Sequence, residues 1–298
     1  MLDFNSLNSE ELEIAHELMN KRPKKITTKV RNYLDKHKVY ISMTSGPLRL
    51  KRLAVVLNLL DLSEISEIHI NLPKFYRNKE EGGTYKKEDI DFISMLDSRI
   101  RIFRIPEDIG PMTKIIPTLQ RIKDPGAIII SVDDDIGYPF NLVSSLIHYS
   151  VMKPKEIFTG AAFAPGDYPG SDFDKLLLPK RFKIVEGWGG IAYKKSIVSS
   201  QMIKEILILN KVSTTCKLSD DFTISYVLAD HGVKVNEIPG IREHLEPFSY
   251  GEDADALHKG SGTSIGKEDE DANMAKYHVC LTDISKSGRK KRRSRKKA

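Results

Sequence analysis

Ile128-Ile129-Ile130-Ser131-Val132-Asp133-Asp134-Asp135 is the stretch from which the fold of this chain is read. A β-branched apolar run followed at once by carboxylates predicts a buried strand that delivers acidic groups to the rim of a sheet, where ligands of open α/β folds gather. In an extended segment Asp133 and Asp135 point the same way and Asp134 turns away. Two hard oxygen ligands on one side suit a divalent ion shared with phosphate oxygens. The competing reading is an acidic turn that caps the next helix.

Composition sets the frame around that strand. The 298 residues are 40% apolar and 30% charged, ordinary for a globular chain with one large core or two modest ones. No stretch approaches a membrane span, and Met1-Leu2-Asp3-Phe4-Asn5 lacks the basic-then-apolar layout of a secretory signal, so a cytoplasmic protein is expected. Cys216 and Cys280 could pair, but without such a signal free thiols are expected, and their spacing is not of a metal-binding type.

The net charge of +6 belongs to the C-terminus, because Arg289 to Lys297 holds eight basic residues in nine positions and leaves the rest slightly acidic. Such a run repels itself and builds no core, so 285–298 is expected to be a disordered tail. It is either simply solvated, a tether to an anionic membrane surface or polyanion, or a nuclear import signal.

Strands and helices alternate along the chain. Asn8 with Glu11 forms a capping-box pattern ahead of a first helix that Pro23 ends, giving an N-terminal helical extension over 1–37. A strand is predicted over Lys38 to Thr44, then a turn at Ser45-Gly46-Pro47 and a helix carrying Leu50, Leu53, Leu57 and Leu60. Further strands are read at Ile65–Leu72, Arg99–Ile105, Ala127–Val132 and Val233–Ile238. Helices are read at Lys87–Leu96, Thr113–Ile122, Phe140–Val151 and Phe222–Ala229, and Tyr76–Tyr85 as a mobile surface loop. The alternation favours a mainly parallel sheet covered on both faces, here a single domain over 38–284.

In order, these motifs resemble glycosyltransferases of the GT-A fold, and within them a glycosyltransferase-2-like group. The carriers are Ile41-Ser42-Met43-Thr44-Ser45 with Arg49, Ile70-Asn71-Leu72-Pro73, and Asp108-Ile109-Gly110-Pro111-Met112-Thr113-Lys114. The series continues with Asp133-Asp134-Asp135 as a DxD motif, Glu186-Gly187-Trp188-Gly189-Gly190 and Ser219-Asp220-Asp221-Phe222. The resemblance covers roughly residues 38–260. It implies a nucleoside-diphosphate-sugar donor bound by Ser42, Thr44, Arg49, Asp108, Lys114, Asp133 and Asp134. It also implies Mn²⁺ or Mg²⁺ on Asp133, Asp135 and His258.

The same likeness places Glu186, Trp188, Gly189 and Gly190 on the acceptor side, the acceptor being a glycan, lipid-linked or protein hydroxyl. Asp221 takes the place of the general base of inverting enzymes. Asp220 stands where that motif usually has Glu, which leaves inversion open. Each residue also has a plainer reading. Lys114 is either one turn into a helix facing a phosphate or solvated. Ser219 and Asp220 are natural helix caps. Glycines around the sole tryptophan let a ligand reach the backbone, although tryptophan is often core. His258 is either a metal ligand or a surface residue, and the glycine-rich 260–266 stretch is read as a lid. Two alternatives stay open: a sugar nucleotidyltransferase, against which the glycine-poor Met43-Thr44-Ser45-Gly46-Pro47 loop counts, and a non-catalytic sugar or polyanion binder.

Overall fold

The computed structural model describes residues 9–78, 83–164, 167, 176, 178–180, 182–217, 219–248 and 279–286. The chain begins with α1 (Ser9–Met19) and α2 (Thr28–Leu34), then β1 (Val39–Met43), α3 (Leu53–Leu59), β2 (Glu67–Pro73), α4 (Lys87–Leu96) and β3 (Ile100–Ile105). Next come α5 (Ile116–Arg121), β4 (Ile128–Ser131), β5 (Ile136–Gly137), α6 (Leu142–Met152), β6 (Glu156–Thr159), β7 (Ala162–Phe163), β8 (Ile184–Val185) and β9 (Ile191–Lys194). The series ends with α7 (Ser200–Asn210), α8 (Thr214–Lys217), α9 (Asp220–Asp230), β10 (Lys234–Glu237) and β11 (Glu246–Pro247), followed by a helix over 279–286.

Seven strands form the central sheet in the order β10-β6-β9-β4-β1-β2-β3. All neighbours are parallel except β9, which runs antiparallel to both β4 and β6. The expected α/β architecture is therefore present. β4 shows why its sequence is continuously apolar: Ile128 and Ile130 enter one core and Ile129 the other. A parallel strand covered on both faces has no solvated side to mark with polar residues. α2, α3, α4 and α6 cover the first face, and α5, α7 and α9 the second.

The N-terminal segment packs onto this body. Val30 of α2 lies in the main core, and Ala15 and Leu18 of α1 pack with Val55, Leu59 and Phe248. Asn8 and the Glu11 side chain lie outside the described residues, as do 249–278 with His258 and the 260–266 stretch, and 287–298 with the basic run. Ser285 ends up buried in the last described helix, not in a tail. No helix among the described residues is long and apolar enough to cross a membrane.

Two sequence expectations need correction here. The helix read over Thr113–Ile122 is broken: Gly110–Lys114 is a 3₁₀ turn and α5 starts only at Ile116, with Pro117 in its first turn. Proline has no N–H to give to a continuous helix, so it can only begin a new one. The supposed surface loop 76–85 also turns aromatic residues inward: Tyr85 is buried and donates its hydroxyl to the Ser45 carbonyl at 2.8 Å, while residues 79–82 are outside the described set.

A third correction concerns the cysteines, which are not free thiols but a disulfide, with Cα atoms 4.9 Å apart. The bond ties α8 to the 279–286 helix inside a small core of Phe182, Ile184, Phe222, Tyr226, Leu281 and Ile284. It closes a loop across a sequence separation of 64 residues, for which loop-closure entropy contributes about 4 kcal/mol. Non-reducing peptide mapping of protein made under oxidising conditions is expected to recover the Cys216–Cys280 cross-link. Reduction or Cys280→Ser should then lower Tm by several degrees, and an unchanged Tm would show that the bond restrains nothing.

Candidate active site

Parallel strands β1 and β4 lie side by side, and the chain departs from them in opposite directions across the sheet, towards β2 on one side and β9 on the other. Such a switch point opens a crevice at the carboxyl ends of the strands. The 44–49 loop follows β1 there, and Asp133-Asp134-Asp135 follows β4. The hydroxyl of the fully buried Tyr138 accepts from the Asp133 N–H at 2.8 Å, which fixes the start of the acidic turn.

The alternation read from the sequence is visible in exposure: Asp133 and Asp135 are partly exposed and Asp134 is buried. Arg49 serves the second and third aspartates, with Nη2 3.2 Å from Asp134 Oδ1 and Nη1 2.8 Å from Asp135 Oδ2. Ser45 donates to Asp134 Oδ2 at 2.6 Å. Burial would lower the Arg49 pKa, but the two carboxylates outweigh it and hold the guanidinium above its ordinary value. One cation is shared between two carboxylates, and burial pushes Asp134 up to about 7 against the pull of Arg49.

Lys114 serves the first aspartate. It ends the 3₁₀ turn, is buried, and places Nζ 2.6 Å from Asp133 Oδ1 and 3.1 Å from Asp220 Oδ2. It is therefore neither solvated nor turned outward to a phosphate. Burial acts to lower its pKa, but Asp133, Asp220 and Asp221 together raise it well above the ordinary lysine value. Asp108 organises the same turn, accepting from the Gly110 N–H at 2.8 Å and from the Arg77 N–H at 2.5 Å. Gly110 is in the left-handed region at φ 72°, and a Cβ there would lie 2.3 Å from the Lys217 carbonyl oxygen.

Asp220 and Asp221 open α9. Asp221 Oδ1 accepts from the Gly187 N–H at 2.7 Å. Burial, then repulsion from Asp220, push its pKa well above the ordinary carboxylate value; burial likewise raises Asp220 against Lys114. The Ser219 hydroxyl makes no cap and is buried without a hydrogen-bond partner among the described residues.

The glycines around Trp188 answer to packing. A Cβ on Gly187 would lie 2.3 Å from Lys114 Nζ, and one on Gly189 would lie 2.4 Å from the Ala161 nitrogen. Gly190 adopts φ 71°. Close approach of the Lys114 side chain and the Ala161 backbone gives Gly187 and Gly189 a packing reason of their own. Trp188 is partly buried against the main core, and its indole is hydrogen-bonded to Glu186, whose carboxylate meets Arg242 Nη2 at 3.0 Å.

Ser42 and Thr44 are spent inside the fold. Ser42 is fully buried and donates to the Lys114 carbonyl within a network with Asn71 and Thr118, and Thr44 donates to the Asn71 carbonyl at 2.7 Å. Ser45 and Arg49, from the same loop, are bonded to the acidic turn instead. Sequence reading missed Arg242, Tyr138 and Tyr85 as site organisers, and no motif marks them.

For a divalent ion, the carboxylate chemistry fits. Asp133 Oδ2 has no hydrogen-bond partner among the described residues, and Asp135 is partly exposed beside it in sequence. No group of three or more potential ligands converges among the described residues.

No family model matches the chain, and no curated protein matches it. Solved structures align with it at low identity. GalNAc-T7 with UDP, GalNAc and Mn²⁺ aligns at 15% identity and TM-score 0.49, covering 71% of this chain and 44% of that one. The galactosyltransferase LgtC with donor and acceptor sugar analogs aligns at 10% and 0.47, covering 77% and 98%. A 4-diphosphocytidyl-2C-methyl-D-erythritol synthase from Anaerococcus prevotii aligns at 12% and 0.42, covering 82% and 97%. These likenesses assign neither a family nor an activity.

Lys114→Met leaves Asp133 and Asp220 without their cation. It is expected to cost about 3–5 kcal/mol in urea unfolding at neutral pH. The deficit should shrink as acid protonates the carboxylates, and Asp220→Asn added to the variant should restore part of it. An unchanged midpoint would mean that the buried pair does not form.

Proposed function

We propose that the protein is a glycosyltransferase that moves a sugar from a nucleoside-diphosphate donor to a hydroxyl acceptor with inversion. The observation that carries this reading is the convergence of two acidic segments distant in sequence, Asp133 after β4 and Asp220-Asp221 at the start of α9, on the one ammonium of Lys114. A ligand-binding rim and a second carboxylate for proton transfer are what such a reaction asks of a protein. The order of motifs in the sequence supports the same class.

In this proposal Asp133 and Asp135 hold Mn²⁺ or Mg²⁺, with His258 as a further ligand on the resemblance alone. The ion would supply charge neutralisation on the departing diphosphate and a template for it. Ser45 and Arg49 keep the acidic turn in place. Asp221, raised in pKa and anchored by Gly187, takes the proton of the acceptor hydroxyl. Trp188, held by Glu186 and Arg242, lines the acceptor side. The disulfide supports an oxidising compartment in place of the cytoplasm, and the basic run Arg289–Lys297 supports a peripheral contact with an anionic surface.

Thermal shift with UDP-, GDP- and dTDP-sugars is expected to show stabilisation by one nucleotide that requires Mn²⁺ or Mg²⁺ and is lost in Asp133→Asn and Asp135→Asn. Absence of any metal-dependent response would refute the reading, and synthesis of nucleotide sugar from a nucleoside triphosphate and a sugar 1-phosphate would establish the nucleotidyltransferase instead. Asp221→Asn should retain donor binding and lose transfer by about 10²-fold or more.

The base must be unprotonated to act, so the acid limb of kcat/KM should titrate above the ordinary carboxylate range. The same raised pKa has a sign for stability. The folded state binds the Asp221 proton more tightly than the unfolded one, so its ionisation costs stability as pH rises past the unfolded carboxylate value of about 4. Asp221→Asn should therefore be more stable than wild type at neutral pH, with the advantage fading in acid. A variant less stable throughout would contradict this.

A further inference from the structure

A cavity of about 550 Å³ lies between the 105–109 segment, α5 and the end of α7, and it shares no residue with the carboxylate site. Its walls are largely apolar, including Ile109, Ile116, Pro117 and Leu207, and it is also lined by Arg121, Lys211 and a single carboxylate residue, Glu107.

Arg121 is the unusual member. Its guanidinium carbon lies 3.4 Å from the Phe103 ring centroid, Nη1 donates to His69 Nδ1 at 3.1 Å, and Nη2 donates to Asn71 Oδ1 at 3.4 Å. His69 must then carry its proton on Nε2, which donates to Glu67 at 3.0 Å. The braces on Arg121 are thus neutral, and no carboxylate pairs with it among the described residues. Arginine has five N–H donors, and only two are used here. Burial accordingly pulls its pKa down. A stacked structural arginine accounts for the Phe103 contact. That contact leaves the remaining N–H donors of the half-buried guanidinium without a carboxylate among the described residues, held in place at the wall of a largely apolar cavity where an anionic group could reach them.

We propose that this cavity is a second binding site, for an amphiphilic anion whose carboxylate or phosphate head meets Arg121 and whose apolar body lies along Ile109, Ile116 and Leu207. Lys211 adds long-range attraction at the mouth.

Calorimetric titration of the full chain with octanoate, octyl phosphate, 1-octanol and inorganic phosphate tests this and separates the two kinds of head. Saturable binding is expected for one or both octyl anions, at least about tenfold tighter than for octanol or phosphate. Arg121→Gln should remove that preference, and Lys211→Glu should weaken the anions several-fold. UDP or GDP with Mn²⁺ should not compete. Octanol binding as tightly as the anions, displacement by the nucleotide, or no saturable binding by any probe would overturn the proposal. Should Arg121→Gln fail to fold, the exposed Lys211→Glu decides, since unchanged octyl-anion affinity there also overturns it.

Discussion

One buried ammonium holds the candidate site together. Lys114 Nζ sits among Asp133, Asp220 and Asp221, which come from the end of β4 and the start of α9. Without the cation, adjacent buried carboxylates would repel one another. Without the carboxylates, the ammonium would be an unpaired charge in the interior. The two halves of the fold are thus registered by charge as well as by the sheet, and the surrounding sequence is constrained to let the cation arrive. Gly187 leaves the space that Nζ occupies, and the 3₁₀ turn that delivers the lysine is set by Asp108 and the left-handed Gly110.

Arg49 plays the matching part on the other side of the acidic turn, bridging Asp134 and Asp135. Tyr85 reinforces that side by binding the Ser45 carbonyl, while Ser45 binds Asp134. The loops after β1 and β4 and Tyr85 are thereby tied into one unit. This is preorganisation in the physical sense: the groups that would meet charge in a reaction are already oriented by fixed partners.

Much of this architecture was legible in the sequence where apolar patterning alone decides the outcome. β1 to β4, α4 and α6 fall where the runs of Ile, Leu and Val put them, because strands and helices that bury a face must be apolar on it. Asp133 and Asp135 are the more exposed of the three aspartates, as the alternation predicts, but they sit in a turn beyond the end of β4. What escaped depends on contacts between distant segments. Pro117 marks where a helix begins, not that Lys114 before it turns inward. Two cysteines with no marked spacing do not reveal that a C-terminal helix brings them together. Ser42 fits a ligand cradle until Asn71 and Thr118 appear beside its hydroxyl. Arg242 carries no local pattern, because its role comes entirely from Glu186 and Glu237 lying nearby.

The charge balance bears directly on how a diphosphate could enter. Among the described residues Asp133, Asp134, Asp135, Asp220 and Asp221 meet two cations, Arg49 and Lys114, so full ionisation would leave this set of groups negative. The raised pKa values of Asp134, Asp220 and Asp221 are the protein's partial response, proton uptake in place of charge. A diphosphate adds still more negative charge, and neither resident cation is spare to meet it. A divalent ion entering with the ligand resolves this, by screening the phosphates from Asp133 and Asp135 while Lys114 and Arg49 stay on their buried partners. In the proposed reaction a metal would therefore answer the charge balance among the described residues of the acidic turn, where Arg49 and Lys114 already have carboxylate partners.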